Sequence, residues 1–187
     1  SGIGHYFISR EFKSLSGPLP VEYTTQKGSL SVVTMPDGTL IWLNGDTRLF
    51  HSNTYGSDNR EVKLIGEAYF EVKTDTLLPF KVVTDDISIY VHGTKFMVTS
   101  YPNDTLVQTF LEQGSIELEV KQSGKKYSLV PGEDATYERQ SKELKIGKFE
   151  NPSIASWRYG QISFYNKPLS EIAAYLVYNY GVEIEFD

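Results

Sequence analysis

The side chains that carry most enzyme chemistry are few and scattered in this chain. It has three histidines, His5, His51 and His92, and no cysteine. The histidines are far apart and show no His-x-His or His-Glu-x-x-His spacing, so neither a multi-histidine metal set nor a cupin-type centre is expected. Each reads as a surface residue or a satisfied core residue. Lack of cysteine removes disulfide frameworks, thiolate metal sites and cysteine nucleophiles together. Glu67 and Glu71 share one face of a strand, about 13 Å apart at ~3.3 Å per residue. Glycosidase carboxylate pairs stand closer, at about 5–5.5 Å or ~6.5–9.5 Å, so these two read as solvent-facing or turn-bonding charge. Asp85-Asp86 falls between two strand-like runs and reads as a turn. Trp42 could stack on a sugar or serve as a core or cross-strand ring. No nucleophile elbow, phosphate-binding loop, dinucleotide fingerprint or helical calcium loop is present. The expectation is therefore a protein that works by contact, with no catalytic residue, no metal and no cofactor.

The elements that must position these residues are overwhelmingly strands. Residues 29–34 and 39–43 flank Met35-Pro36-Asp37-Gly38, where proline presets one turn dihedral and glycine supplies the left-handed one. Residues 61–65 and 67–73 follow, and in the latter Ala68, Phe70 and Val72 alternate with Glu67, Tyr69 and Glu71. Period two marks a half-buried strand. Further short runs cover 80–84, 87–91, 94–99, 105–111, 115–121, 126–130, 135–138 and 143–146, punctuated by Gly93, Gly114, Gly124 and Gly132. About a dozen short strands with turn signals every 8–12 residues predict a mainly β fold of the jelly-roll or β-sandwich kind. Composition shifts near residue 150. Beyond it, 161–164 reads as a strand, and Asn166-Lys167-Pro168 opens a helix. Leu169, Ile172, Ala173, Leu176 and Tyr180 form its apolar stripe, Gly181 ends it, and 182–186 reads as a second strand. The organisation read from this is an extended arm over 1–27, a β domain over 28–150 and a small β-α-β unit over 151–187. The small unit must pack on something else, because two strands and a helix cannot bury their apolar faces unaided.

Whole-chain arithmetic agrees with a contact protein. The 187 residues carry 18 basic against 24 acidic side chains, a net charge of −6, which argues against nucleic acid and against a polybasic membrane patch. Thirteen of the aromatic residues are tyrosines, beside ten phenylalanines and two tryptophans, a balance that suits a strand-rich fold with a contact surface. No apolar run is long enough to span a bilayer, and the first residues do not form an intact signal peptide. A soluble protein, or one whose anchor lies upstream, fits equally.

Seven phrases in order resemble the FecR family of anti-sigma regulators. They are Met35-Pro36-Asp37-Gly38-Thr39 with Trp42-Leu43-Asn44, then residues 60–72 (REVKLIGEAYFEV), Pro79-Phe80-Lys81-Val82, Val91-His92-Gly93-Thr94-Lys95-Phe96, Leu111-Glu112-Gln113-Gly114 and Val130-Pro131-Gly132-Glu133. Residues 157–187 complete the series and look like the opening of a secretin/TonB-type signalling domain. The resemblance implies the periplasmic part of a single-pass inner-membrane protein. Its cytoplasmic segment would hold an extracytoplasmic-function sigma factor, so sigma binding would not reside in this chain. The N-terminal signalling domain of a TonB-dependent outer-membrane transporter, for glycan or iron-chelate uptake, would be the direct partner. On that reading 1–27 is a juxtamembrane arm. The signalling domain of the family repeats β-α-β twice and this chain holds one half, so self-association through 161–187 is expected. Glu171, Ala174 and Tyr178 lie opposite the apolar stripe with Tyr175 flanking, and these four are the expected partner contacts. The alternative is a jelly-roll carbohydrate-binding module.

Overall fold

The computed structural model describes residues 20–151 and 153–185. His5 and most of the proposed N-terminal arm lie outside the described residues. Thirteen strands form the body of the molecule: β1 (Pro20–Thr25), β2 (Ser31–Thr34), β3 (Leu40–Leu43), β4 (Thr47–Ser52), β5 (Arg60–Glu71), β6 (Phe80–Val83), β7 (Ile87–Val91), β8 (Lys95–Ser100), β9 (Leu106–Gln113), β10 (Ile116–Val120), β11 (Lys126–Leu129), β12 (Glu133–Glu138) and β13 (Glu143–Lys148). The mainly β expectation holds. β5 belongs to two layers. Its first half pairs with β4 and, in parallel, with β6, while its second half pairs with β3 and β8. One layer therefore runs β11-β10-β7-β6-β5-β4-β1 and the other β2-β3-β5-β8-β9-β12-β13.

Gly66 is where β5 passes from one layer to the other. Its φ is 115°, and a β-carbon there would come within 2.8 Å of Thr47 Cα, so only glycine lets the strand cross so close to its neighbour. Between the layers lies one continuous apolar core that includes Leu49, Val62, Leu64, Phe70, Phe80, Ile89, Phe96, Val98 and Leu118. Phe70 and Phe96 stack at its centre, with ring centroids 4.8 Å apart. Ala68 and Phe70 are buried as the period-two pattern requires.

The Pro-Asp-Gly hairpin is built as its residues dictate. Gly38 N–H donates to the Met35 carbonyl and Met35 N–H to the Thr39 carbonyl, which closes a three-residue loop around Gly38 at φ 87°. β1 and β4 have no counterpart in the strands read from the sequence. Residues of β4 such as Thr47, His51 and Ser52 are polar yet buried, so the segment lacks the apolar alternation that marks a strand. β1 pairs in full register with β4, from Pro20 opposite Ser52 to Thr25 opposite Thr47.

After β13 the chain forms a short 3-10 helix (Ser156–Tyr159) and one α-helix, α1 (Leu169–Tyr180), closed by Gly181 in the left-handed conformation. The helix falls where the sequence places it. The flanking segments at 161–164 and 182–185 are not strands: they make no ladder pairs. A strand exists only through a pairing partner, and neither segment reaches the edge of a layer or the other segment. Among the described residues, no helix is long and apolar enough to cross a membrane.

Candidate functional site

Among the described residues, those that the sequence offers for chemistry lie apart. His51 is buried between the rings of Tyr23 and Tyr55, and its Nδ1 lies 2.6 Å from the Ser52 carbonyl oxygen. His92 is exposed. Asp85 and Asp86 form the bend between β6 and β7 as expected, with Asp86 accepting from Arg139 at 2.9 Å. No group of three or more His, Asp or Glu side chains stands ready to hold a metal among the described residues. The distinctive surface is instead the outer face of the layer that contains β8.

Strand register builds that face in rows. Trp42 on β3 lies opposite Tyr69 on β5, Tyr69 opposite Met97 on β8, and Met97 opposite Phe110 on β9. These side chains point away from the main core, and residues 154–157 cover them: Ile154, Ala155 and Trp157 pack on the row and form a second apolar cluster. Tyr69, on the face the alternation marks as polar, is thereby buried completely. Its hydroxyl donates to Glu112, and burial, with that carboxylate as acceptor, pushes the phenol well above its ordinary range.

Arg158 plugs this face. Its guanidinium lies 3.5 Å from the centroid of the Tyr69 ring and 5.4 Å from that of Trp42, and its Nη1 is 3.5 Å from Glu71 Oε1. Lys95 reaches the same carboxylate at 3.6 Å. A guanidinium shielded from water between aromatic faces and a carboxylate gains from both cation–π attraction and charge pairing. Trp42 is a cross-strand ring, edge-on to Tyr69 at 5.8 Å.

The next row is polar. Glu67 on β5 accepts from Asn44 Nδ2 at 2.6 Å and from Thr99 Oγ1 at 2.7 Å. It is half-buried beneath the C-terminal helix, not solvent-facing. Burial raises its pKa and the Asp104 charge adds to that, whereas the bonds from Asn44 and Thr99 oppose it. Two cavities, of about 400 and about 470 Å³, open on either side, and both are lined by Glu67 and Tyr175.

The four residues expected to contact a partner occupy different settings. Glu171 is exposed and pairs with Lys167 at 3.2 Å, and Ala174 is exposed. Tyr175 is half-buried, edge-on to Phe164 at 5.4 Å, and turned toward the sheet; burial and the nearby Glu67 charge push its phenol up to about 12. Tyr178 lies under the Lys27 ammonium, 3.8 Å from ring centroid to nitrogen. Tyr175 is thus the tyrosine turned toward the β layers, whereas Tyr178 stays 56% exposed. Of the five stripe residues Ala173 is buried, Ile172 and Leu176 are half-buried, and Leu169 and Tyr180 are 65% and 48% exposed, so the stripe is covered only in part. Arg158 and Glu67 carry this joint, and sequence spacing singled out neither for the role. The available signal was a tyrosine on the polar face of a strand, flanked by two glutamates.

The family model described as FecR protein matches residues 21–117, just over half of the chain. No curated protein matches it. Two crystal structures, each of a candidate anti-sigma factor from Parabacteroides distasonis ATCC 8503, are similar to this chain at 28% identity. The first has a TM-score of 0.78 and covers 88% of this chain and 76% of the other. The second has a TM-score of 0.77 and covers 87% and 76%.

Proposed function

The chain belongs to the FecR family of regulatory, non-enzymatic proteins, and on that premise we propose that it is the periplasmic sensor module of a membrane-anchored anti-sigma regulator. It relays occupancy of a TonB-dependent outer-membrane transporter, for glycan or iron-chelate uptake, by contact with the transporter's N-terminal signalling domain. The sigma factor is reached only through a cytoplasmic segment outside this chain. The observation that carries the reading is the joint between the two parts of the molecule. A double layer holds the C-terminal segment through Arg158, the apolar cluster of Ile154, Ala155 and Trp157, and a polar, tyrosine-bearing seam, an arrangement suited to passing on a contact. The exposed apolar residues Leu169, Val177, Tyr180 and Val182 support self-association through 161–187. Trp42 disfavours the carbohydrate-binding reading, because its ring is flanked by Tyr69 and Arg158 and is not free as a sugar platform.

Calorimetric titration of the chain with the purified N-terminal signalling domain of a transporter encoded beside it tests the reading. Saturable binding in the micromolar range, with no heat from neutral oligosaccharides, is the expected result. Binding of oligosaccharides with none of the signalling domain overturns it.

A further inference from the structure

The C-terminal segment touches the β layers at two places of unequal quality. The first, around Arg158, is closely packed: Ala155 and Met97 are buried, and Arg158 has 8% of its side chain exposed while it contacts Tyr69 and Glu71. The second, at α1, buries Ala173 but is otherwise loose. Tyr175 stands between two cavities of about 400 and about 470 Å³, Tyr178 is held by one lysine, and the Asn179 carbonyl comes close to Gly28. Between the two places the backbone has the marks of a joint. Gly160 and Asn166 take left-handed φ values of 71° and 52°, and the exposed stretch between them has no regular hydrogen bonding.

We propose that α1 is a latch, pivoting on the Arg158 anchor through residues 160–168 and closing by seating Tyr175 and Tyr178 against Asn44, Glu67 and Lys27. Closed, it half-buries Tyr175 against the sheet and pairs the still exposed Tyr178 with Lys27, so the sheet-facing edge of Tyr175 is offered to a partner only after release. A contact with few buried apolar groups and voids on both sides separates at small cost, whereas the packed anchor stays. A ligand that binds only the released helix then shifts the population toward it. The latch derives its purpose from the relay reading above, but its motion belongs to the chain alone.

Because the chain has no cysteine, a pair of spin labels at Lys148→Cys on β13 and Ala174→Cys on α1 reports a unique distance. The protein otherwise as it stands should give one dominant distance. Tyr175→Ala should raise the population at longer distances at least about fivefold, with helical circular dichroism and tryptophan emission unchanged. The emission reports the anchor, since both tryptophans, Trp42 and Trp157, lie beside it. Arg158→Ala should broaden the distance and change the emission together. An unchanged distance distribution in Tyr175→Ala overturns the latch. A longer distance accompanied by loss of helical signal overturns it in favour of local melting. Both results stand whether or not any transporter domain binds.

Discussion

Asp37 shows how one turn residue ties the molecule together. Its carboxylate is part of the Pro-Asp-Gly hairpin, yet it also accepts from Arg60 Nη1 at 3.0 Å and from Tyr55 Oη at 3.2 Å. Arg60 is almost wholly buried and donates further to the carbonyls of Leu78 and Lys73, each at 2.8 Å. Arg60→Ala takes the charged partner from Asp37, which keeps its bonds from Thr39 and Tyr55, and removes the arginine donor from two carbonyls, so it should cost about 2–3 kcal/mol of unfolding free energy, measured by denaturant titration. Two half-buried carboxylates, Asp37 in the hairpin turn and Glu67 on β5, are shifted in opposite directions. Burial alone would raise Asp37, but bonds from the Thr39 amide, Arg60, the Thr39 hydroxyl and Tyr55 outweigh it and hold the group below its ordinary 3.8. Its contribution is present above that value and is lost as pH falls through the lower folded one. Glu67 is raised above its ordinary 4.5 by burial. The folded state then binds more protons than the unfolded one, so Glu67 costs stability as pH rises past 4.5. Thermal melts across pH 3–8 should show Glu67→Gln more stable than wild type at neutral pH, with the advantage vanishing below about pH 4, whereas Asp37→Asn is less stable at neutral pH and converges with wild type in acid.

Among the elements, those legible in the sequence were the ones whose side-chain pattern alone decides them. β3, β6 through β10 and α1 follow period two or period 3.6 and fall within a few residues of their expected bounds, whereas the two runs read at 61–65 and 67–73 are one strand, β5, because Gly66 carries the pairing on from one layer to the other. β4 was illegible because its inward residues include Thr47, His51 and Ser52, whose burial rests on hydrogen bonds such as Thr47 N–H to Thr25 Oγ1. The segments flanking α1 alternate as strands do but have no neighbour to pair with. Orientation of α1 was legible only in part: the apolar stripe predicts a buried face, and Ala173 is buried, yet Leu169 and Tyr180 stay exposed while Tyr175 turns toward Glu67 and Asn44. The short 3-10 helix holds its place through Arg158. Replacing that residue with alanine should free 151–185 for limited proteolysis, with cleavage near 160–168 rising roughly thirtyfold, and should leave the unfolding midpoint of the β layers unchanged. A cation–π and ion-pair contact of about 2 kcal/mol supports that magnitude.

At the scale of the molecule, two of the exposed surfaces differ in kind. The outer strand β13 carries Glu143, Lys145 and Lys148 along an exposed edge, and charge on an edge discourages pairing with another sheet. The outward side of α1 carries Leu169, Val177 and Tyr180 with Val182 just beyond, each between 43% and 65% exposed. Apolar side chains grouped on one helix, with no charge among them, form the surface where burial against another molecule gains most. The net charge of −6 opposes close approach of two copies at low salt and is screened at physiological ionic strength. Association through this stripe should therefore strengthen with added salt, unlike association through ion pairs. Light scattering at about 100 µM should show mass above that of a monomer at roughly 0.15 M salt, rising further at higher salt. Val177→Asp with Tyr180→Asp should restore the monomer without altering the β layers. A monomer at all salt concentrations removes self-association through 161–187 and leaves the stripe to a different chain. In that case the same double substitution, which spares Tyr175 and Tyr178, separates the two sides of α1: lost binding of a signalling domain assigns the contact to the outward stripe, and retained binding assigns it to the tyrosine face.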